Sequence, residues 1–150
     1  MRTPMWGASR RLVSLVAAAA IALLAACSGS SSTGPAAPTT PDGNYTLTSI
    51  AGKSLPYTMY ADTGYSVVVT GGTLSLATSR HFDIATTSTE TFAGATTPYV
   101  DRTSGNWTTT NGSPTVTLTP ALGAVMPAVW NGTKLSVTQP DGVYLYTRVP

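Results

Sequence analysis

The chain has 150 residues, enough for one domain, and only 9% of them are charged, with a formal net charge of +2 at pH 7. It contains one cysteine and one histidine, which excludes a disulfide within this sequence and a zinc site built from several Cys and His ligands. The Lys and Arg residues form no cluster beyond the first eleven positions, which argues against a nucleic-acid-binding surface.

The first 26 residues have the three-part layout of an export signal. Arg2, Arg10 and Arg11 form a basic start, and residues 12–26 are an apolar run that only Ser14 interrupts. Spanning a bilayer takes about 20 apolar residues, so the run is short for a transmembrane anchor. Residues 1–26 are therefore predicted to be a cleaved signal peptide.

The end of this run, Leu24-Ala25-Ala26-Cys27, resembles the lipobox of bacterial lipoproteins. The resemblance implies that the thiol of Cys27 receives a diacylglyceryl group, that the signal is cut before it, and that the new amino terminus is acylated with a fatty acid such as palmitate. Ser28 stands where lipoproteins retained in the inner membrane usually have aspartate. The chain is thus expected in the bacterial cell envelope, anchored to the outer membrane, at its periplasmic face or its surface. The alternative is an ordinary signal peptide cut after an alanine.

Residues 27–42 are predicted to be a lipidated cysteine followed by a flexible tether. Ser, Gly, Thr, Pro and Ala make up residues 28–41, and no large apolar side chain occurs there. Such a segment cannot bury enough surface to offset the entropy lost on ordering. The tether would hold the domain of residues 43–150 clear of the membrane surface.

Residues 43–150 consist of short alternating runs between turn signals. Residues 44–50 predict a first strand, and residues 53–60 an irregular second one whose Pro56 suits an edge or a bend. The alternating residues 65–69, the Gly71-Gly72 pair and the alternating residues 74–76 predict two strands joined by a two-residue hairpin. Residues 86–106 fit either one or two strands or a long loop.

Three further dipeptides, Asn111-Gly112, Asn131-Gly132 and Asp141-Gly142, each stand between alternating runs and predict hairpins. No helical period of useful length follows the signal, so the domain is predicted to be all-β. Eight to ten short strands must close on themselves or stack, because an open meander leaves edges unpaired. The turns between neighbouring strands favour a small antiparallel up-and-down barrel of about eight strands over a Greek-key sandwich.

The ends of the domain resemble those of lipocalin-like (calycin) barrels. Gly43-Asn44-Tyr45 resembles the Gly-x-Trp that opens the first strand in that family, with Tyr45 in place of tryptophan. Arg148, in the closing run of residues 144–148, corresponds to the arginine that packs across that ring from the last strand. The resemblance implies a barrel that Tyr45 and Arg148 close and that can hold a small apolar molecule.

No residue pattern supports catalysis, a metal site or a cofactor. His81 is the only histidine and no Gly-x-Ser-x-Gly motif is present. His81, Asp83 and Glu90 could contact one ion, but strand alternation places residues 81 and 83 on one face whatever their function. The chain is therefore predicted not to be an enzyme.

Two functions fit a tethered barrel. The first is binding of a small hydrophobic ligand, with the candidate contacts Tyr57, Met59, Tyr60, Met126 and Trp130. The second is a structural or interaction role, in which such side chains plug the barrel and loops face a protein partner of the envelope. The interior separates the two functions, because an empty apolar cavity of about 300 Å³ or more favours ligand binding.

Overall fold

The computed structural model describes residues 39–110 and 112–150, so the predicted signal peptide, Cys27 and most of the predicted tether lie outside the described residues. The strands are β1 (Gly43–Ile50), β2 (Lys53–Ser54), β3 (Tyr57–Asp62), β4 (Tyr65–Leu76), β5 (His81–Phe92), β6 (Ala95–Thr109), β7 (Thr115–Pro120), β8 (Met126–Trp130), β9 (Lys134–Gln139) and β10 (Gly142–Arg148). The described residues contain no helix that is long and apolar enough to cross a membrane.

All strand pairs are antiparallel, and the sheet closes on itself. From β4 to β10 each strand pairs with the next, β10 pairs with β1, and β1 pairs with β4 through residues 43–46 and 73–76. The closure makes an eight-stranded barrel, with β2 and β3 as an excursion between β1 and β4. The predicted all-β, up-and-down barrel is confirmed.

The antiparallel register gives the barrel two distinct ends. At the near end the chain enters β1 at Gly43, which pairs with Leu76, and leaves β10 at Arg148. At the far end lie the turns that follow Ile50, Pro120 and Gln139.

The predicted hairpin at Gly71-Gly72 is wrong, because both glycines lie inside the single strand β4. The β4–β5 register shifts between Val69 and Gly71, which marks a bulge. A Cβ atom on Gly72 would stand 2.9 Å from the backbone oxygen of Ala85 and 3.3 Å from the Leu47 side chain. Close packing across the bent sheet therefore explains a glycine that the sequence pattern assigns to a turn.

Turns are present at all three of the later predicted places, and the third is shifted by one residue. Residue 111 lies outside the description, but Gly112 lies in the turn between β6 and β7 with φ +75°, and Gly132 lies between β8 and β9 with φ +91°. The third turn is centred one residue earlier than predicted, at Pro140 and Asp141, because Gln139 pairs with Gly142.

Residues 86–106, whose structure the sequence leaves open, complete two long strands. β5 and β6 pair without interruption from His81↔Asn106 to Phe92↔Ala95. Ala93 and Gly94 make the two-residue turn, with φ 49° and 85°. Alanine rarely adopts a positive φ, so Ala93-Gly94 is a weaker turn signal than the Asn-Gly and Asp-Gly pairs.

Alternate side chains of the barrel strands converge on one apolar core. Its residues are at most 8% exposed, and they are Tyr45, Leu47, Ile50, Val69, Leu74, Leu76, Phe82, Ile84, Trp107, Val116, Leu118, Met126, Ala128, Leu135, Val137, Tyr144 and Tyr146. All eight barrel strands contribute to this set. Burying one large aliphatic or aromatic side chain stabilises a fold by about 1.5–3 kcal/mol, so the filled interior is the main source of stability in a domain without disulfides.

Candidate functional site

At the near end, the last strand is tied to the first. Tyr45 and Arg148 are paired neighbours on β1 and β10, and the guanidinium carbon of Arg148 lies 5.8 Å from the centre of the Tyr45 ring. The guanidinium also donates hydrogen bonds to the carbonyl oxygens of Thr40 (2.9 Å) and Asp42. Tyr45 donates its hydroxyl to the carbonyl oxygen of Pro41 at 2.5 Å. These contacts fix the path by which the chain enters the barrel.

Gly43 leaves room for this arrangement. A Cβ atom on Gly43 would lie within 3.0 Å of the Arg148 guanidinium carbon, and its φ of +144° is rarely adopted by other residues. Glycine at the head of the predicted Gly-x-aromatic motif therefore has a direct steric reason.

Trp107 and Trp130 complete the near end. Trp107 is 2% exposed and donates its ring N–H to the carbonyl oxygen of Ala77 at 2.9 Å. The guanidinium carbon of Arg80 lies over its ring, 4.3 Å from the ring centre. Trp130 is partly buried and packs against the core. An open groove of about 450 Å³ lies outside these rings, lined mainly by residues 39–42 and the three near-end turns.

The five candidate ligand contacts do not form one site. Met126 starts β8 at the far end and is 8% exposed, whereas Trp130 ends the same strand at the near end. Tyr57 is half-buried against the core, and Met59 and Tyr60 follow it on β3 with 41% and 50% of their surface exposed. The structure thus groups Tyr57, Met59 and Tyr60 at the far end and separates them from Trp130.

Beyond the far end, four strand segments continue past the barrel wall as one sheet. They are residues 57–62 of β3, 65–69 of β4, 88–92 of β5 and 95–101 of β6, and we call them the sheet extension. Side chains alternate between the two faces of a strand, so the register shows which face each residue occupies. One face of the extension continues the inner surface of the barrel from Val69 and Ser88, which are 0% and 7% exposed.

This face is rich in aromatic side chains, and we call it the aromatic face. Tyr60 pairs with Val67, Tyr65 with Phe92, and Ser88 with Tyr99, which places all six residues on the same side. Tyr60, Phe92 and Tyr99 are 50%, 71% and 53% exposed, and the ring centres of Tyr60 and Tyr65 are 5.7 Å apart. Exposed apolar side chains gathered on one surface are typical of interaction sites.

The aromatic face also carries three carboxylates. Asp62 pairs with Tyr65, Glu90 with Val67, and Asp101 with Thr86 on the inward side of β5. Asp62 accepts hydrogen bonds from the Tyr60 hydroxyl (3.2 Å) and the Thr63 amide (2.7 Å). No Lys or Arg occupies a position on this face within the described segments, since Arg102 follows Asp101 and so lies on the opposite face. The surface is therefore apolar and acidic.

One edge of the extension is open. Pairing between β6 and β7 begins at Gly105↔Pro120, and the amide of Ala121 reaches the oxygen of Ser104. Residues 95–103 of β6 have no strand partner on that side within the described part of the chain. Backbone groups along such an edge can pair with an added strand.

In three tyrosines of the barrel, burial raises the pKa of the hydroxyl group. Burial raises the pKa of Tyr45 above the ordinary 10.0, although the nearby Arg148 charge opposes the shift. Burial also raises the pKa of Tyr144, whose hydroxyl donates to Asp141 at 2.6 Å, and the pKa of Tyr146. All three side chains are thus held in their neutral form.

The three residues that could contact one ion, His81, Asp83 and Glu90, do not form a common site. His81 and Asp83 lie on the outer surface of β5, with the Nε2 and Oδ2 atoms 3.5 Å apart. Glu90 lies on the other face of the same strand, since residues 82 and 84 point into the core. Within residues 39–110 and 112–150 no group of three His, Cys, Asp or Glu side chains is close enough to hold a metal ion.

No family model, no curated protein and no solved structure matches the chain.

Sequence reasoning missed most of the aromatic face. Phe92 and Tyr99 lie in the stretch whose structure the sequence left open, and their partners become visible only from the β5–β6 register. The Ala93-Gly94 pair is the signal that could have found the hairpin, and with it the alternation that groups Phe92 with Glu90.

Proposed function

We propose that this chain is a lipid-anchored protein of the bacterial cell envelope. Its lipocalin-like barrel would support a surface that binds a protein partner. The anchor rests on the resemblance of residues 24–27 to a lipobox, with Cys27 as the modified residue. The lipocalin-like assignment rests on the eight-stranded antiparallel barrel and on the contact between Tyr45 and Arg148. No catalysis and no cofactor enter this function.

The filled barrel interior is the observation that carries the interaction role. Ligand sites for small molecules are cavities of about 300–1,000 Å³ with a largely apolar lining. Inward positions on all eight barrel strands instead carry buried side chains, among them Tyr45, Phe82, Trp107 and Tyr146. Such a barrel is a rigid support, and the residues left for recognition lie at its ends.

The far end is the better placed of the two for a partner. The chain enters the barrel at the near end, so a tether that precedes Gly43 would place the near end toward the membrane. The sheet extension and its aromatic face lie at the opposite end. A surface there would point away from the lipid and toward other envelope components.

A photo-crosslinking experiment in intact cells tests this function. A photoreactive amino acid replaces Tyr99 on the aromatic face, and a matched variant carries it at Asp83 on the outer barrel wall. We expect discrete crosslinks to one or a few envelope proteins from position 99 and none from position 83. Equal crosslinking from both positions, or from neither, would contradict the proposal.

Ligand binding is the second candidate, and the near-end groove is the observation in its favour. The groove of about 450 Å³ is bounded by Trp130, one of the predicted ligand contacts, and by Arg80 and Trp107. Mass spectrometry of the membrane-extracted protein under native conditions tests this function directly. A stoichiometric small hydrophobic molecule that is lost from a Trp130→Ala variant would favour ligand binding over the interaction role.

A further inference from the structure

We propose that the aromatic face binds a basic, extended polypeptide segment, in which Lys or Arg side chains alternate with apolar ones. The inference rests on the proposed interaction function and names the chemistry of the partner. Three features of the sheet extension carry it: the exposed rings, the carboxylates among them and the open edge of β6.

The charges favour a cationic partner. Glu90 and Asp101 lie on the same face as Tyr99 and Phe92, and within the described residues the ion pair between His81 and Asp83 is the one found within 4.0 Å. The carboxylates of Glu90 and Asp101 are therefore available to a partner. A cationic side chain laid across the face meets carboxylates and, between them, aromatic rings that attract cations.

The exposed rings favour a partner that is also apolar. Phe92 is 71% exposed at the tip of the β5–β6 hairpin, and Tyr99 is 53% exposed beside the buried Ser88. On β4, which pairs with β5 on the side away from β6, lie Tyr65 and Val67, both half-buried. A small inorganic cation or a polyamine would leave these side chains in water, whereas apolar side chains of a partner would cover them.

The open edge favours a polypeptide over a sugar chain. Residues 95–103 of β6 lack a strand partner on their outer side, so an extended segment can form main-chain hydrogen bonds there. Alternate residues of an added strand then point to the aromatic face, next to Tyr99 and Asp101. A segment of alternating basic and apolar residues satisfies the edge and the face together.

A second copy of this chain fits the aromatic face poorly. Two copies meeting through it would bring Asp62, Glu90 and Asp101 against the same three carboxylates. Like charges at close range oppose association, and more strongly where water is excluded. The opposite side of the extension, which carries Val100 and leads to Arg102 just beyond it, does not have this acidic character.

Binding of synthetic peptides to the full-length protein in detergent tests the inference. The probe is a ten-residue peptide that alternates Lys with Val, blocked at both ends, and two further peptides replace every Lys with Ser or with Glu. Fluorescence anisotropy of labelled peptides gives the dissociation constants. We expect the Lys peptide to bind about tenfold or more tightly than the Glu peptide, and we expect its affinity to fall as salt is raised, because exposed charges are screened.

Variants with matched controls locate the binding surface. The double variant Glu90→Gln and Asp101→Asn should lower the affinity for the Lys peptide about fivefold to tenfold. Asp83→Asn, an exposed acid on the outer side of β5, should leave the affinity unchanged. Tyr99→Ser should weaken binding, while Val100→Ser, its equally exposed neighbour on the opposite face, should have little effect. Asp83, Tyr99, Val100 and Asp101 are exposed and Glu90 is partly exposed, so circular dichroism should show the same folded barrel in all variants.

Several outcomes would overturn the inference. They are equal binding of the three peptides, unchanged affinity in the Glu90 and Asp101 variant, and preferential binding of a cell-wall oligosaccharide over the Lys peptide. Concentration-dependent dimerisation abolished by Tyr99→Ser would instead assign the face to a second copy. If none of the peptides binds while position 99 still crosslinks to an envelope protein in cells, the proposed basic character of the partner is wrong and the interaction function stands.

Discussion

The hydroxyl group of Tyr146 has no hydrogen-bond partner, although the side chain is 0% exposed. Thr86 is a polar neighbour, but the pair does not meet hydrogen-bond geometry. A buried polar group without a partner costs about 1–3 kcal/mol of stability. Tyr144, two residues earlier on the same face of β10, donates its hydroxyl to Asp141 and is the natural comparison.

We predict that Tyr146→Phe raises the free energy of unfolding by about 1 kcal/mol at neutral pH, because it removes the unpaired hydroxyl and keeps the ring. Tyr144→Phe should lower it by about the same amount, since Asp141 loses its donor. Urea unfolding followed by circular dichroism measures both changes. Destabilisation by Tyr146→Phe would show that its hydroxyl has a partner after all.

The buried tyrosines also predict loss of stability in alkali. Burial raises the pKa of Tyr45, Tyr144 and Tyr146 in the folded protein, whereas in the unfolded chain each titrates near 10.0. Below pH 10 both states keep the protons and stability is unaffected; above it the unfolded chain loses them first, so unfolding becomes easier. Each group then lowers the free energy of unfolding by up to about 1.4 kcal/mol per pH unit.

We predict a steep fall in the urea midpoint as the pH rises above about 10, with a shallower fall in Tyr146→Phe, which lacks one of the three titrating groups. Tyr99→Phe is the control, since it removes a tyrosine hydroxyl from an exposed side chain outside the barrel core. A midpoint that is flat across this range would contradict the assignment of these tyrosines to the core.

At the scale of the strands, glycines decide where neighbouring strands can approach. Gly105 is an inward residue of β6 that pairs with Phe82 on one side and Pro120 on the other. A Cβ atom there would stand 2.1 Å from the backbone oxygen of Thr119 and 2.7 Å from the Cα atom of Pro120. The backbone of β7 occupies that space, so the sheet itself would have to move.

Gly105→Ala should therefore destabilise the barrel by about 1–3 kcal/mol, the usual cost of overpacking a core. Gly71→Ala is the matched control, because nothing lies within 4 Å of a Cβ atom on that glycine of β4. Its expected effect is neutral or stabilising by about 0.5–1 kcal/mol, since alanine restricts the unfolded chain. Thermal unfolding compares the two, and equal effects would show that the crowding at Gly105 relaxes without cost.

At the scale of the whole molecule, the barrel joins the two termini of the domain at one end. Gly43 and Arg148 meet at the near end, where Arg148 also holds the carbonyl oxygens of Thr40 and Asp42. The proposed lipid anchor at Cys27 would therefore attach through a chain segment that Arg148 fixes. Several acyl chains on one cysteine suffice to hold a protein to a membrane, at about 0.8 kcal/mol per buried methylene.

We predict that Cys27→Ser leaves the signal peptide uncut and abolishes acylation at residue 27, so that any remaining membrane association comes from the uncut apolar run of residues 12–26. Ser32→Ala, a change in the predicted tether, should leave both processing and fractionation unchanged. Membrane fractionation with mass spectrometry of the amino terminus measures the outcome. A Cys27→Ser protein that is still processed and still fractionates with membranes would remove the lipoprotein proposal.

The amino-acid sequence alone predicted the all-β class, the closed antiparallel barrel and most of its turns, because strand alternation and turn residues are local properties of the chain. It could not predict that Gly71 and Gly72 lie inside β4, since their role depends on Leu47 and Ala85 from other strands. The filled core and the aromatic face were likewise decided only by the tertiary structure. Residues such as Tyr60, Glu90 and Tyr99 are far apart in sequence, and only the register of β3 to β6 brings them to one surface.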